Sequence, residues 1–161
     1  MPEVGASPAI EVLAGPEVEQ IRPLLLDLLV EEQGHYPHRQ LSRDEMEREL
    51  VGPLRPAFEG ENMVFAVRDG GEVVAFCWCV LFDPGTGLEA EIAEVYVAEP
   101  HRGRGLARAL LRRAVALFHE RGVTLGVVWT RADNPGAVRL YESAGFSPTT
   151  QLVLTWLPDG A

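Results

Sequence analysis

The residues best suited to chemistry in this 161-residue chain lie between Glu91 and Ala107, E-I-A-E-V-Y-V-A-E-P-H-R-G-R-G-L-A. Arg102, Gly103, Arg104 and Gly105 stand between a β-branched run, Ala93 to Val97, and an apolar-periodic run that begins near Leu106. Strand, glycine-rich loop and helix in that order present a row of backbone N–H groups to an anion such as phosphate. The glycines lack a Cβ, so an anion can come close and positive φ is tolerated. The helix N-terminus adds partial positive charge, and Arg102 and Arg104 add full charges. Short glycine motifs also occur as plain basic turns, and the loop alone leaves that reading open. Glu91 and Glu94 are the second chemical feature. Carboxylates inside so apolar a strand are uncommon; they are either proton acceptors or surface and ion-pair residues. Three positions apart, they point to opposite faces of a regular strand, and only a β-bulge would bring both to one site.

The elements that would hold these residues can be read along the chain. Ile10 to Ala14 is a short strand candidate, and Val18, Ile21, Leu24, Leu25, Leu28 and Leu29 repeat at helical spacing up to Gly34. Pro23 should kink that helix or delay its start. Ser42 and Glu45 form a capping box for a helix ending near Leu50. Met63 to Val67 and Val73 to Phe82 read as strands joined by the Asp69-Gly70-Gly71 turn, and a further strand ends at Val97. Leu106, Leu110, Ala114, Leu117 and Phe118 share one helix face, which Gly122 closes. Leu125 to Thr130 reads as a strand, Pro135 to Ala144 as a short helix, and Thr150 to Trp156 as a last, weakly alternating strand. Antiparallel hairpins followed by β-α-β predict a mixed α+β sheet.

Composition narrows the classes. The chain is 47% hydrophobic, which suits one globular domain and excludes wholesale disorder. No apolar run approaches the ~18 residues of a membrane span. The first residues, M-P-E-V-G-A-S-P, lack the pattern of a signal peptide, so a cytoplasmic location is expected. Cys77 and Cys79 lie two apart in a strand and read as buried thiols, not a disulfide. No Cys/His set has zinc spacing, and His35 and His38 lack a third ligand, so no metal is expected. All 14 basic residues are arginine. Residues 1–100 hold 6 arginines against 20 acids, and residues 101–161 hold 8 against 4. The basic part carries the anion-loop pattern, whereas a net charge of −10 gives little support to a nucleic-acid partner.

Residues 125–146, L-G-V-V-W-T-R-A-D-N-P-G-A-V-R-L-Y-E-S-A-G-F, add a second motif. Together with the loop they resemble the GNAT superfamily of acyl-CoA-dependent N-acetyltransferases. The family's pyrophosphate loop has Gln or Arg, two residues, Gly, one residue, then Gly or Ala; Arg102, Gly105 and Ala107 fill it. Its later signature is N-x-x-A-x-x-L-Y-x-x-x-G-F, filled by Asn134, Ala137, Leu140, Tyr141, Gly145 and Phe146. The motifs cover roughly residues 89–147. The resemblance implies a single GNAT domain over residues 1–161. It implies an α+β fold with a central, mostly antiparallel sheet, splayed between the strands near 91–97 and 125–130, and helices on both faces.

The resemblance also implies roles. Val95, Tyr96 and Val97 would bind the pantetheine arm of acetyl-CoA through backbone groups at Val95 and Val97, and an N–H near Val97 would polarise the thioester carbonyl. Arg102, Gly103, Arg104, Gly105, Leu106, Ala107 and Arg108 would cradle the pyrophosphate through their N–H groups. Asn134 would hydrogen-bond the cofactor arm; read from its surroundings alone, Asn134-Pro135 is a helix N-cap and N1 proline, and both can hold. Tyr141 matches the family tyrosine that protonates the departing thiolate, although a tyrosine on a short helix also reads as a core residue. Glu91 stands eleven residues before Arg102, like the catalytic glutamate of the histone-acetylating branch; Glu94 stands eight before, like the acid of many small-amine branches. The acceptor pocket would draw on the first helices and their loop: Glu31, Glu32, His35 and Tyr36. The branch that acetylates protein N-termini carries a glutamate where this chain has Trp129, which is either a wall of the acceptor pocket or a core residue.

The expected activity is acetyl transfer from acetyl-CoA to a primary amine of a small molecule, in a ternary complex, with no metal. The alternatives are a protein or peptide N-acetyltransferase and a non-catalytic acyl-CoA-binding module. Many relatives are homodimers, and a homodimer is compatible with the sequence. No nucleic-acid or membrane partner is expected.

Overall fold

The computed structural model describes residues 7–34, 40–50, 52–54, 59–85 and 87–154. Its five strands are β1 Ile10–Leu13, β2 Glu61–Asp69, β3 Glu72–Phe82, β4 Glu89–Val97 and β5 Leu125–Val128. Its helices are α1 Arg22–Gln33, α2 Arg43–Glu49, α3 Leu106–Arg121 and α4 Pro135–Glu142. The strands form one sheet in the order β1-β2-β3-β4-β5, antiparallel up to β4, with β5 parallel to β4. A parallel neighbour needs a crossover, and α3 supplies it.

Alternation sorts the side chains between two layers. Phe65, Cys77, Cys79 and Ile92 pack against Leu110, Leu111, Ala114, Leu117 and Phe118 of α3. On the other face Val64, Ala66, Phe76 and Tyr96 pack against Leu24, Leu25 and Leu28 of α1. Cys77 and Cys79 share the α3 face as unpaired, buried thiols. Burial pushes the Cys79 thiol up to about 12 and raises Cys77 as well, so neither is a thiolate nucleophile near neutrality.

Local signals account for most element ends. Gly15–Ile21 form a 3₁₀ segment, and α1 starts only at Arg22, with Pro23 in the first turn where no N–H is needed. Ser42 accepts from the Glu45 N–H at 3.3 Å, and the Ser42 N–H donates to Glu45 Oε2 at 2.9 Å, the capping box expected for α2. Gly122 caps α3 at φ +68°, with Val123 N–H donating to Phe118 O at 2.9 Å.

Sequence expectations toward the C-terminal end need correction, and α4 stops at Glu142, two residues short of Ala144. β5 ends at Val128, two residues before Thr130. The strand expected over 150–156 is absent over residues 150–154, and 155 and 156 lie outside the described residues. Leu152, Val153 and Leu154 are 86%, 59% and 90% exposed. Three consecutive apolar residues cannot all face one side of a strand, so the segment has no single face to bury.

The splay is explicit in the register. β4 and β5 pair only from Glu89↔Leu125 to Ile92↔Val128, and β4 then runs on to Val97 beyond the end of β5.

Candidate active site

Where β5 leaves β4, a groove of about 600 Å³ opens. Its walls are Ile92 to Val97 of β4, Leu28 and Glu31 of α1, Trp129, Thr130 and Arg131 beyond β5, and Asn134, Ala137 and Tyr141 at α4, with Arg102 and Val153. The phase of the β3–β4 ladder decides what β4 offers it. Ala98 N–H donates to Val74 O at 2.9 Å, which continues the register that pairs Phe76 with Tyr96 and Trp78 with Glu94. Bonded and non-bonded pairs alternate in an antiparallel ladder. The N–H and C=O groups of Val95 and Val97 therefore point away from β3, toward the open edge.

The loop before α3 is shaped for an anion. Gly103 and Gly105 have φ +76° and +78°, in the left-handed region that favours glycine. A Cβ added at either would meet nothing within 4 Å, so the glycines leave open space above the turn. Gly105 is the N-cap of α3, has no side chain to cap the first turn, and is followed by no acid there. The first-turn N–H groups are thus left for an outside acceptor. This donor set fits a diphosphate.

One residue changes the strand geometry. Trp78 faces Glu94, but Cys79 faces Ile92, so Ala93 is an extra residue in β4. Beyond it Glu91 faces Val80. Trp78 and Val80 are two apart on one face, and the bulge places Glu94 and Glu91 on that same face. Glu94 lines the groove; Glu91 lies further along the strand, beside Val127 of β5 and outside the lining residues.

At the head of the loop, Arg102 Nη2 donates to Glu31 Oε1 and Oε2 at 2.8 and 3.1 Å, and Nε donates to Val97 O at 3.0 Å. The Tyr96 hydroxyl donates to Glu31 Oε1 at 2.8 Å. Burial, then the Glu31 hydrogen bond and charge, push the Tyr96 phenol up to about 12. Arg104 Nη2 donates to Pro100 O at 3.2 Å.

The sequence model of the acetyltransferase (GNAT) family matches residues 19–146, well over half of the chain. The chain belongs to the GNAT family. A mycothiol acetyltransferase of Thermobispora bispora is 34% identical over 122 residues, 74% of this chain and 38% of that protein. "N-acetyltransferase 8" of Rattus norvegicus is 33% identical over 100 residues, 59% of this chain and 45% of that protein. The chain therefore spans less than half the length of these curated relatives. Among solved structures, an aminoglycoside acetyltransferase from an uncultured soil metagenomic sample, in complex with sisomicin, superposes with a TM-score of 0.68 at 15% identity. That superposition covers 97% of this chain and 99% of the other, a likeness of fold.

Of the GNAT motif residues, Arg102, Asn134, Ala137 and Tyr141 line the groove. Tyr141 lines it, with its ring edge-on to Phe146 at 6.1 Å. Asn134 also lines it and caps α4, its Oδ1 accepting from Ala137 N–H at 3.2 Å, so the cap and a wall position coexist in one side chain. Trp129 is 59% exposed on the groove, which excludes the core alternative. Leu106, Ala107 and Arg108 form the first turn of α3. Of the acceptor candidates, Glu31 lines the groove, and His35 and Tyr36 lie outside the described residues. Among the described residues no group of three His, Cys, Asp or Glu is placed to hold a metal. Sequence reasoning missed Leu28, Ile92, Ala93, Thr130, Arg131 and Val153 as walls, and missed that the Arg102 side chain turns to Glu31. None of these carries a local signal, because each reaches the groove only through the tertiary fold.

Proposed function

We propose that this GNAT chain transfers an acetyl group from acetyl-CoA to the primary amine of a small molecule. The observation that carries the reading is a groove lined by the open edge of β4, by Glu94 and Tyr141, and by Arg102, the first residue of the glycine loop. Acetyl-CoA supplies the thioester, whose carbonyl carbon the amine nitrogen attacks. Val95 and Val97 hold the extended pantetheine arm as a neighbouring strand would, through backbone hydrogen bonds. The Val97 N–H polarises the carbonyl oxygen. Residues 103–108 bind the pyrophosphate through backbone N–H groups, since the Arg102 N–H expected to join them is held by Glu99 O at 3.2 Å, and Asn134 donates its amide to the arm. Glu94 takes the amine's proton, directly or through a water, as the C–N bond forms. Tyr141 donates its hydroxyl proton to the sulfur as the C–S bond breaks and regains a proton from solvent. Holding both reactants against the β4 edge supplies the larger part of the acceleration.

Support for a small acceptor comes from Trp129 at the position of the peptide-branch glutamate and from a relative named for mycothiol acetylation. The test is an acceptor screen with acetyl-CoA and panels of amines, polyamines, aminoglycosides, amino acids and peptides, read by thiol release. Turnover with a small amine is expected. Turnover confined to peptides would replace this reading with the peptide alternative, and CoA binding without turnover on any panel would leave a binding module.

A further inference from the structure

Arg102 opens the anion loop, yet its side chain is committed elsewhere. It gives Nη2 to both oxygens of Glu31 and Nε to the Val97 carbonyl, and its guanidinium lies 5.3 Å above the centroid of the Tyr96 ring. Tyr96 completes the set by donating to the same carboxylate. Glu31 is in the last turn of α1, Tyr96 and Val97 end β4, and Arg102 begins the loop. Three elements meet at one carboxylate, across 71 residues of sequence for Glu31 and Arg102. Burial works against the Arg102 charge, but the Glu31 hydrogen bond and charge, together with Tyr96, hold the guanidinium above its ordinary value. Without Glu31, a guanidinium lying over an aromatic ring would lack its counter-ion, and solvent would compete for it and for its bond to Val97 O.

We propose that Glu31 is a positioning residue of the cofactor loop: through Arg102 and Tyr96 it ties the first residue of the loop to β4 and so sets the loop's N–H groups before an anion arrives. The inference rests on the acetyl-CoA reading above. A loop ordered in advance loses less entropy on binding, so the clamp raises affinity without touching the ligand. Two other roles give different results. If Glu31 only withheld Arg102 from phosphate, removing its charge would tighten CoA binding. If Glu31 served the acceptor amine alone, CoA binding would not respond to it.

The test compares the wild type with Glu31→Gln, Arg102→Ala and the double variant, using CoA itself in calorimetry and amide exchange of the ligand-free protein. Glu31→Gln should weaken CoA binding about tenfold, the scale of a charged hydrogen bond discounted for partial exposure. Arg102→Ala should lose a similar factor, and the double variant should bind no worse than Arg102→Ala. Exchange should quicken at residues 102–105 while the core amides of α3 stay protected, a local effect that general destabilisation would not produce. Glu31→Asp keeps the charge on a shorter arm and should fall between wild type and Glu31→Gln, which serves if the latter folds poorly. Equal or tighter CoA binding by Glu31→Gln, additive losses, or unchanged loop exchange would overturn the clamp alone. A wild-type protein that does not bind CoA would overturn the acetyl-CoA reading and this inference with it.

Discussion

Ala93 decides what Glu91 and Glu94 can do. Without that extra residue, the two carboxylates would point to opposite sides of β4; with it, they share a face. Sharing a face does not give them equal access. Glu94 lies three residues from Val97, roughly 10 Å by strand rise, room for an amine and a bridging water. Glu91 lies roughly 17 Å from Val97 on the same measure once the extra residue is discounted, beside β5. Glu94→Gln should therefore cost more kcat/KM than Glu91→Gln, within the ~10²–10⁴-fold range of a positioned base. The acid limb of the kcat/KM profile should change with Glu94→Gln, because that limb follows ionisation of the base. Both variants keep side-chain shape. Wild-type pH profiles in both would leave positioning as the mechanism, with solvent taking the proton.

At the scale of elements, the site is a strand that outruns its neighbour beside a helix that starts on a glycine. The second half can be tested directly. Gly105→Glu places a side chain at φ +78° and a negative charge where the α3 N–H groups converge. CoA binding should fall below detection in calorimetry on a folded variant; unchanged affinity would reject the loop as the anion site. The turn residues and caps of this region were legible in the sequence because their signals are local: Ser42 with Glu45, Gly70 with Gly71, Gly105 before Leu106, Asn134 before Pro135. Pro23 was legible as an obstacle, and the structure resolves it by starting α1 late. The bulge was legible only as a condition, since Ala93 has no side-chain signature. The Glu31–Arg102 contact was not legible, because no periodicity links residues on α1 to a loop across the sheet. The strand expected from Thr150 does not form over residues 150–154: the alternation there is weak, and Leu152, Val153 and Leu154 run together without a single face to bury.

For the whole molecule, the uneven distribution of charge brings opposite charges together across the fold. The acidic residues 1–100 and the basic residues 101–161 are joined by side-chain pairs: Glu31 with Arg102, Glu61 with Arg121, and Asp69 with His101. Glu61 with Arg121 is the clearest for stability, with two contacts of 2.7 and 2.6 Å linking the start of β2 to the last residue of α3. The Arg121 hydrogen bonds hold the Glu61 carboxyl below its ordinary 4.5. A carboxyl whose folded value is depressed adds stability above its unfolded value, and that stability is lost as pH falls through the folded value. The pair should thus help at neutral pH, begin to fade below about 4.5, and vanish once Glu61 is protonated in the folded state as well. Both side chains are more than two-fifths exposed, so solvent and salt screen the effect. Arg121→Gln should lower Tm at pH 7 by about 2 °C or less. Melting curves from pH 7 to pH 3 should show the two proteins converging in acid, and the gap at pH 7 should shrink in high salt. A gap that persists unchanged at pH 3 would assign the difference to packing of the Arg121 stem and not to its charge.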